Sequence, residues 1–476
     1  MQSFHHMQGS NVNGTTAATE EQIIDRHIAN AAEGFAAMKK IIDFCCVGCG
    51  LCASVCPKNL LEIDDTRKKP VLSGRCTRCG LCYLACPRSF LPLSKINARY
   101  FGAGEGEEQE RLGNYADFFV SRSPDERIYR EGTPGGTTTA LMHCLLDDGQ
   151  VDAALLTRGR HRHVRYCMHP EPYIATTAAQ VLESSHSKFE LSPVLAQLKN
   201  LGRYRRSAVV GTPCHILALR KLQIINEDRV LAARLPRLAE VAAGLTAPVT
   251  YAVSINCFLN HTSMDRAYAW LGIDERELIR FNENVSKELY EKAFAAGKDW
   301  RWFFRNNYVT ADGIEQDYDV NQLGVRVLPS GCLLCNNLIV STQADASIGF
   351  FGAETGVREV GWNTTVIMNP GLKKITDAMV AAGKLARRPV LRGYGRTLRK
   401  ILEKLIPALD VMDVRSYLAT GAWRYPKPLK LARGPRKTYI LGLEVLFLGQ
   451  TIRKKFFTEG PLRALKKAGA YIPTVY

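Results

Sequence analysis

No G-x-G-x-x-G run occurs anywhere in the 476 residues. That excludes an ordinary nicotinamide Rossmann domain, whose tight turn under a pyrophosphate needs those glycines. Long apolar runs are missing as well. The longest stretch without a charge, VAAGLTAPVTYAVSINCFLN from Val241 to Asn260, contains Pro248 and several polar residues, and reads as buried strand and turn rather than a membrane span. The opening residues, MQSFHHMQGSNVNGTTAATEEQ, have neither the basic start nor the apolar core of a secretory signal. A short leader and a cytoplasmic location are therefore expected. No repeat of solenoid period is present. Acidic residues are scarce at one end: from Lys384 to Tyr476 there are 21 lysines and arginines against 5 aspartates and glutamates, and this segment carries nearly all of the net charge of +17.

Cysteine, by contrast, is plentiful. Fifteen cysteines in a chain without a secretory signal argue for metal ligation in a reducing compartment rather than for a disulfide framework. Cys46, Cys49, Cys52 and Cys56 follow C-x2-C-x2-C-x3-C-P, and Cys76, Cys79, Cys82 and Cys86 repeat it. This is the bacterial dicluster ferredoxin pattern, in which three cysteines of one run and the fourth of the other hold each cubane. Cys46, Cys49, Cys52 and Cys86 are thus assigned to one [4Fe-4S] cluster, and Cys76, Cys79, Cys82 and Cys56 to a second. Gly50 and Gly80 allow close backbone approach, and Pro57 and Pro87 turn the chain away. A zinc site also uses C-x2-C pairs, but it does not need a third cysteine two residues on and a fourth followed by proline. Cys45 has no place in either set and reads as a small buried hydrophobe.

Thr19 with Gln22 fits a capping box, and the apolar spacing after it predicts a leading helix to near Ile42. A polar, Gly- and Glu-rich stretch around residue 110 reads as a connector. Beyond it, short apolar runs alternate with helical ones, which predicts an α/β domain. The fold class expected is an α+β ferredoxin-like dicluster domain, then an α/β non-Rossmann domain, then a mainly helical basic extension. The boundaries are 1–40 for leader and helix, 41–110, 111–385 and 386–476.

In that α/β region, Gly135 and Gly136 precede a helical pattern, which puts backbone amides where a phosphate could sit; a plain helix entry explains the same residues equally well. In SAVVGTPCHILAL a strand ends, Thr212 can cap, Pro213 suits the first helical position, and Cys214 falls in the first turn, where thiolate is favoured. With Cys257 and the C-x2-C pair Cys332 and Cys335, it makes a candidate ligand set for a third [4Fe-4S] cluster; a buried thiol is the plain alternative for any one of them. His161 and His163 sit in RGRHRHVRY, which reads as a solvated basic loop.

The segments GGTTTALM, SHSKFELSPVLAQL, VVGTPCHILALRKL, CFLN and GCLLCNNLIVSTQADASIGFFG, in this order over roughly residues 40 to 380 with the ferredoxin runs in front, resemble the beta subunits of coenzyme F420 hydrogenase and dehydrogenase. The resemblance implies a flavoprotein: a non-Rossmann FAD site, a nearby cubane, and hydride exchange with the deazaflavin coenzyme F420. It places Gly135, Gly136, Thr137 and Thr138 at the flavin phosphates, Ser187 and Lys188 in the flavin or deazaflavin pocket, and Cys214, Cys257, Cys332 and Cys335 at the family's cysteine positions. His215 departs from the family's usual glutamine, and the tail after residue 385 has no counterpart. A flavin converts a two-electron hydride into the single electrons a cubane takes, so the expected activity is a coenzyme F420-dependent oxidoreductase. Electrons would leave or enter through the ferredoxin clusters to a redox partner protein. The rivals are a reductase of the same family with another substrate, and a relay subunit without one. The basic tail suits an anionic membrane surface or an acidic subunit, with a solvated face as the plain reading; no nucleic-acid module is seen.

Overall fold

The computed structural model describes residues 20–101, 114–132, 135–159, 169–188, 190–257, 268–269, 271–282, 295–296, 306–318, 329–333, 341–349 and 361–390. The expected basic helical extension, 386–476, lies outside the described residues from 391 on, as do His161 and His163; its first residues, Ala386–Pro389, form an edge strand of the main sheet rather than helix, because they pair with the strand at Asp117–Arg122.

The chain begins with α1 (Glu20–Ala31) and α2 (Phe35–Phe44). A single leading helix was expected here. Gly34 breaks it, with φ of +63°, and a Cβ at that position would lie 2.7 Å from the Arg78 Cα. The chain turns so that the second cysteine run can press against the break. Two short helices follow, α3 (Leu51–Ser54) and, after the antiparallel pair β1 (Leu61–Ile63) and β2 (Pro70–Leu72), α4 (Leu81–Ala85). Both open on a left-handed glycine, Gly50 and Gly80. A Cβ on Gly80 would stand 2.6 Å from the Ala31 carbonyl, so only glycine lets α1 cover this run.

The α/β part is built on β3 (Asp117–Arg122), α5 (Glu126–Glu131), α6 (Thr137–Asp147), β4 (Ala153–Gly159), β5 (Pro170–Ala175), β6 (Ser207–Gly211), α7 (Pro213–Glu227), α8 (Pro236–Thr246), β7 (Val249–Ile255), β8 (Ala346–Gly349), β9 (Asn363–Ile367), α9 (Pro370–Ala381) and β10 (Ala386–Pro389). Eight strands form one sheet in the order β10-β3-β9-β8-β7-β6-β4-β5. The centre, β8-β7-β6-β4, is parallel, and both wings are antiparallel. Central strands such as β4, with buried Ala153, Ala154, Leu155 and Leu156, read as continuous apolar runs because helices cover both faces. A separate antiparallel trio spans Leu278–Asn282, Asn306–Thr310 and Glu315–Tyr318.

Two cores flank the sheet. One gathers Phe119, Leu156 and Val253 with α6 and α9. The other joins Leu155, Val209 and Ala252 to α7 and α8, and runs on without interruption through α1, α2 and both cysteine runs. The dicluster segment and the α/β sheet therefore share one hydrophobic interior.

Candidate redox site

The turns of the two cysteine runs are set by backbone amides that point at sulfur. Gly48 N donates to Cys46 Sγ (3.4 Å), Leu60 N to Cys56 Sγ (3.4 Å), Arg78 N to Cys76 Sγ (3.3 Å) and Arg88 N to Cys86 Sγ (3.5 Å). Such donors stabilise thiolate over thiol and tune the potential of a bound cluster.

The thiols sort into two groups. Burial pushes Cys49 and Cys52 well above the ordinary thiol range, and the next influences on them come chiefly from Cys86 and Cys46, with Cys49 acting on Cys52. Burial likewise raises Cys82 to about 12, with Cys79, Cys76 and Cys56 as its thiol neighbours. These are the two sets that the ferredoxin pattern pairs across the runs. Thiols so deeply buried keep their protons unless a metal takes their place, which fits the donor chemistry of an iron-sulfur cluster. Around the second set lies a small pocket of about 20 Å³, lined by all four of its cysteines and by Phe35, Leu61, Leu72 and Gly80. Among the described residues no three His, Cys, Asp or Glu side chains close to the spacing of ligands on a single ion. A cubane, whose four thiolates sit on four separate irons, holds its ligands wider apart. Cys45 is fully buried and pushed up to about 12 by burial, the environment of an inert core thiol.

The sets differ in depth. Cys46, Cys49, Cys52 and Cys86 are all buried, whereas Cys56, Cys76 and Cys79 are partly exposed. Around the deep set stand three cations. Lys221 Nζ donates to the Cys86 carbonyl (2.7 Å), Lys69 Nζ to the Ile42 carbonyl (2.6 Å), and Arg88 Nη2 to the Gly331 carbonyl (3.0 Å).

The third candidate set converges on the same place. Cys214, in the first turn of α7, follows β6, and Cys257 lies just past β7; the two strands are parallel neighbours, so both cysteines sit at the carboxyl edge of the sheet, where open α/β sheets bind ligands. Thr212 Oγ1 lies 3.1 Å from Cys214 Sγ. Cys214 is close enough to raise the Cys49 thiol further after burial, Cys86 and Cys46 have acted. Cys332 is buried in the short helix Ser330–Leu333, whose Gly331 packs so tightly that a Cβ there would stand 2.4 Å from the Cys46 carbonyl. Cys335 lies outside the described residues. His215 accepts from Thr212 N at Nδ1 (3.0 Å), and burial drags its pKa down to about 4. The imidazole is neutral.

The two segments assigned to the flavin also meet. His186 Nε2 lies 3.1 Å from Glu131 Oε2, which ties the Ser187 and Lys188 segment to the end of α5, just before Gly135. Lys188 Nζ donates to the carbonyls of Ser184, Ser185 and His186 (2.6, 2.6 and 3.0 Å), so the ammonium orders its own loop. Beside it, the buried Ser185 Oγ has no hydrogen-bond partner among the described residues, a polar atom that a ligand could satisfy. At the start of α6, Asn363 Oδ1 accepts from Gly135 N (3.1 Å) and Thr137 N (3.2 Å), and Thr137 Oγ1 pairs with Ser121 Oγ (2.9 Å). A phosphate at this helix start has to share those amides with Asn363. Asn363, Lys68 and His169 lie outside every sequence motif, and although Lys221 and Glu190 fall in segments that carry the family resemblance, spacing assigns them no role.

Comparison with known proteins gives one family and a dicluster domain. Residues 118–199 match the family model for the coenzyme F420 hydrogenase/dehydrogenase beta subunit N-terminus, residues 204–391 match that for its C-terminus, and residues 45–90 match a 4Fe-4S dicluster domain. The coenzyme F420-dependent sulfite reductase of Methanocaldococcus jannaschii is 25% identical over 338 residues, 70% of this chain and 46% of that protein. The chain thus spans less than half of that relative. The coenzyme F420 hydrogenase subunit beta of Methanosarcina barkeri is 24% identical over 311 residues, 64% of this chain and 88% of the subunit. Among solved structures, a chain of the F420-reducing [NiFe] hydrogenase complex from Methanosarcina barkeri aligns with a TM-score of 0.48 at 21% identity, covering 64% of this chain and 92% of that chain.

Proposed function

Because this chain belongs to the coenzyme F420 hydrogenase/dehydrogenase beta-subunit family, with a 4Fe-4S dicluster domain in front, we propose that it is an iron-sulfur flavoprotein oxidoreductase that exchanges hydride with coenzyme F420 and single electrons with a partner protein. What carries this reading is the file of thiols: Cys214 beside Cys49, the deep set around Cys46 and Cys86, then the shallow set around Cys82. Bound FAD supplies the conversion between hydride and single electrons, and the clusters carry the latter.

The chain's own groups then do the following. Cys46, Cys49, Cys52 and Cys86 hold one cluster, Cys56, Cys76, Cys79 and Cys82 another, and Cys214, Cys257, Cys332 and Cys335 a third at the sheet's carboxyl edge. Gly135, Gly136 and Thr138 offer the α6 start to the flavin phosphates, while Thr137, whose hydroxyl is engaged with Ser121, fixes the turn. Lys188 holds the 184–188 loop in shape, which presents Ser185 and Ser187 to the isoalloxazine or its deazaflavin partner. Neutral His215 seats the α7 start that carries Cys214. We place the domains at 41–110 and 111–385, with β10 (Ala386–Pro389) carrying the sheet just past that second limit. A cytoplasmic setting suits such oxygen-labile groups; among the described residues no helix is long and apolar enough to cross a membrane.

The test is anaerobic purification, quantification of flavin and iron, and addition of reduced coenzyme F420. Bleaching of both flavin and cluster absorbance is expected. Flavin that does not bleach points to another substrate, and iron without flavin to a relay subunit; either result overturns the proposal.

A further inference from the structure

The shallow thiol set opens beside three exposed cations. Lys58 stands two residues after Cys56, Arg75 directly before Cys76, and Arg78 between Cys76 and Cys79, and all three side chains are exposed. None of them has an ion-pair or hydrogen-bond partner for its side chain among the described residues. Nearby carboxylates are occupied instead: Glu33 pairs with Lys40 (2.9 Å), Asp64 with Arg67 (3.7 Å), and Asp65 lies 3.8 Å from Lys68. Glu62 on β1 is the one exposed acid of this region that has no such pair among the described residues.

Arg78 is the informative residue. The turn between the first two cysteines of each run needs a left-handed residue, and the first run uses Gly48, at φ +65°. Here the Cβ of any other residue would press on the Lys68 carbonyl at 2.8 Å. The second run places Arg78 at the equivalent position, at φ +55°, a left-handed conformation that is unfavourable for any non-glycine residue. An arginine at a site that suits glycine, beside partly exposed cluster ligands, puts positive charge where an electron crosses the surface.

We propose that the mouth of the shallow thiol set, ringed by Lys58, Arg75 and Arg78, is the docking face for an acidic one-electron carrier protein. The inference rests on the reading of Cys56, Cys76, Cys79 and Cys82 as ligands of a four-iron cluster. In the transfer, one electron leaves that cluster, whose core charge rises by one, and enters the oxidised carrier; no bond changes and no proton moves. The carrier is acidic because three unpaired cations steer and hold a surface of opposite charge.

The experiment measures the dissociation constant of the full-length, iron-loaded protein for a purified acidic dicluster ferredoxin by calorimetry at low and high salt. A Lys58→Glu, Arg75→Glu, Arg78→Glu triple variant is compared with an Arg237→Glu control on the exposed side of α8. At least tenfold weaker binding and a flatter salt dependence are expected in the triple variant, with the control and the iron content unchanged. Absence of ferredoxin binding, equal loss in the control, or equal affinity for a basic carrier such as cytochrome c overturns the inference. Coenzyme F420 does not enter this measurement. Failure of the F420 bleaching test would therefore leave the docking result standing, and the reverse.

Discussion

Lys221 sets its ammonium 2.7 Å from the carbonyl oxygen of Cys86, inside an interior where its side chain has no solvent exposure. Ser89 Oγ takes a second bond at 3.1 Å, and the Phe90 ring centroid lies 3.7 Å away. Burial drags this lysine down to about 7 against the opposing pull of the Cys86 thiol. An anionic cluster on the deep thiol set adds to that pull and keeps the ammonium charged. At an effective dielectric of about 20, one unit charge within ~8 Å is worth ~2 kcal/mol, or roughly 90 mV for a one-electron couple. Lys221→Met is thus expected to lower the midpoint potential of one cluster by several tens of millivolts and leave the others in place, as read by a redox titration followed by electron paramagnetic resonance. Unmoved midpoints would refute it.

Neighbouring cysteines should behave oppositely. Cys45→Ala removes a buried thiol that no turn amide addresses, and iron content should stay at the wild-type level. Cys46→Ala removes a thiol that Gly48 N contacts, and about four irons per chain should be lost. Parallel iron and sulfide assays check both.

The Lys68 and Glu190 side chains, 2% and 1% exposed, meet at 2.9 Å, and His169 Nδ1 lies 3.2 Å from the other carboxylate oxygen. This pair joins the loop before β2 to the segment leading into the Cys49 contact, where Leu195 N donates to the Cys49 carbonyl (3.0 Å). Glu190→Gln leaves a buried ammonium with only the exposed Asp65 carboxylate, 3.8 Å away, at a cost of about 3–5 kcal/mol. A matching fall in the urea midpoint is expected. A loss below about 1 kcal/mol would mean that water reaches the site.

Acid should weaken the fold through two histidines. Burial, aided by Lys221 and Arg26, lowers His27 to about 4, and its Nδ1 lies 2.6 Å from Tyr83 Oη; burial also lowers His215 to about 4. Both folded values lie below the unfolded one of about 6.5, so the unfolded chain takes up protons first as pH falls. Stability from these groups is constant above pH ~6.5 and declines towards pH ~4, each contributing a slope of up to about 1.4 kcal/mol per pH unit. His27→Gln should remove one proton's share of that slope in denaturant titrations between pH 4 and 6.5. A profile parallel to the wild type would count against the buried neutral histidine.

The cysteine runs were legible in the sequence because ligand spacing is written along the chain, and the match to a 4Fe-4S dicluster domain falls on them. The α7 entry at Thr212, Pro213 and Cys214 was legible for the same local reason. The break at Gly34 was not, since helix periodicity runs through it and only the distant Arg78 explains the turn. Asn363 reaches the α6 amides from more than two hundred residues away, as Lys221 reaches Cys86 from the middle of α7, 135 residues on. Such partners are brought by sheet order, which periodicity does not encode.

The continuous interior beneath α7, α8 and the two cysteine runs has a mechanical consequence. Electron tunnelling falls off steeply with distance, and here the span between sheet edge and outer thiols is set by close-packed side chains rather than by a tether. The ferredoxin segment is a beam of the same chassis. Cut free, it would carry away half of a hydrophobic seam and leave the other half wet.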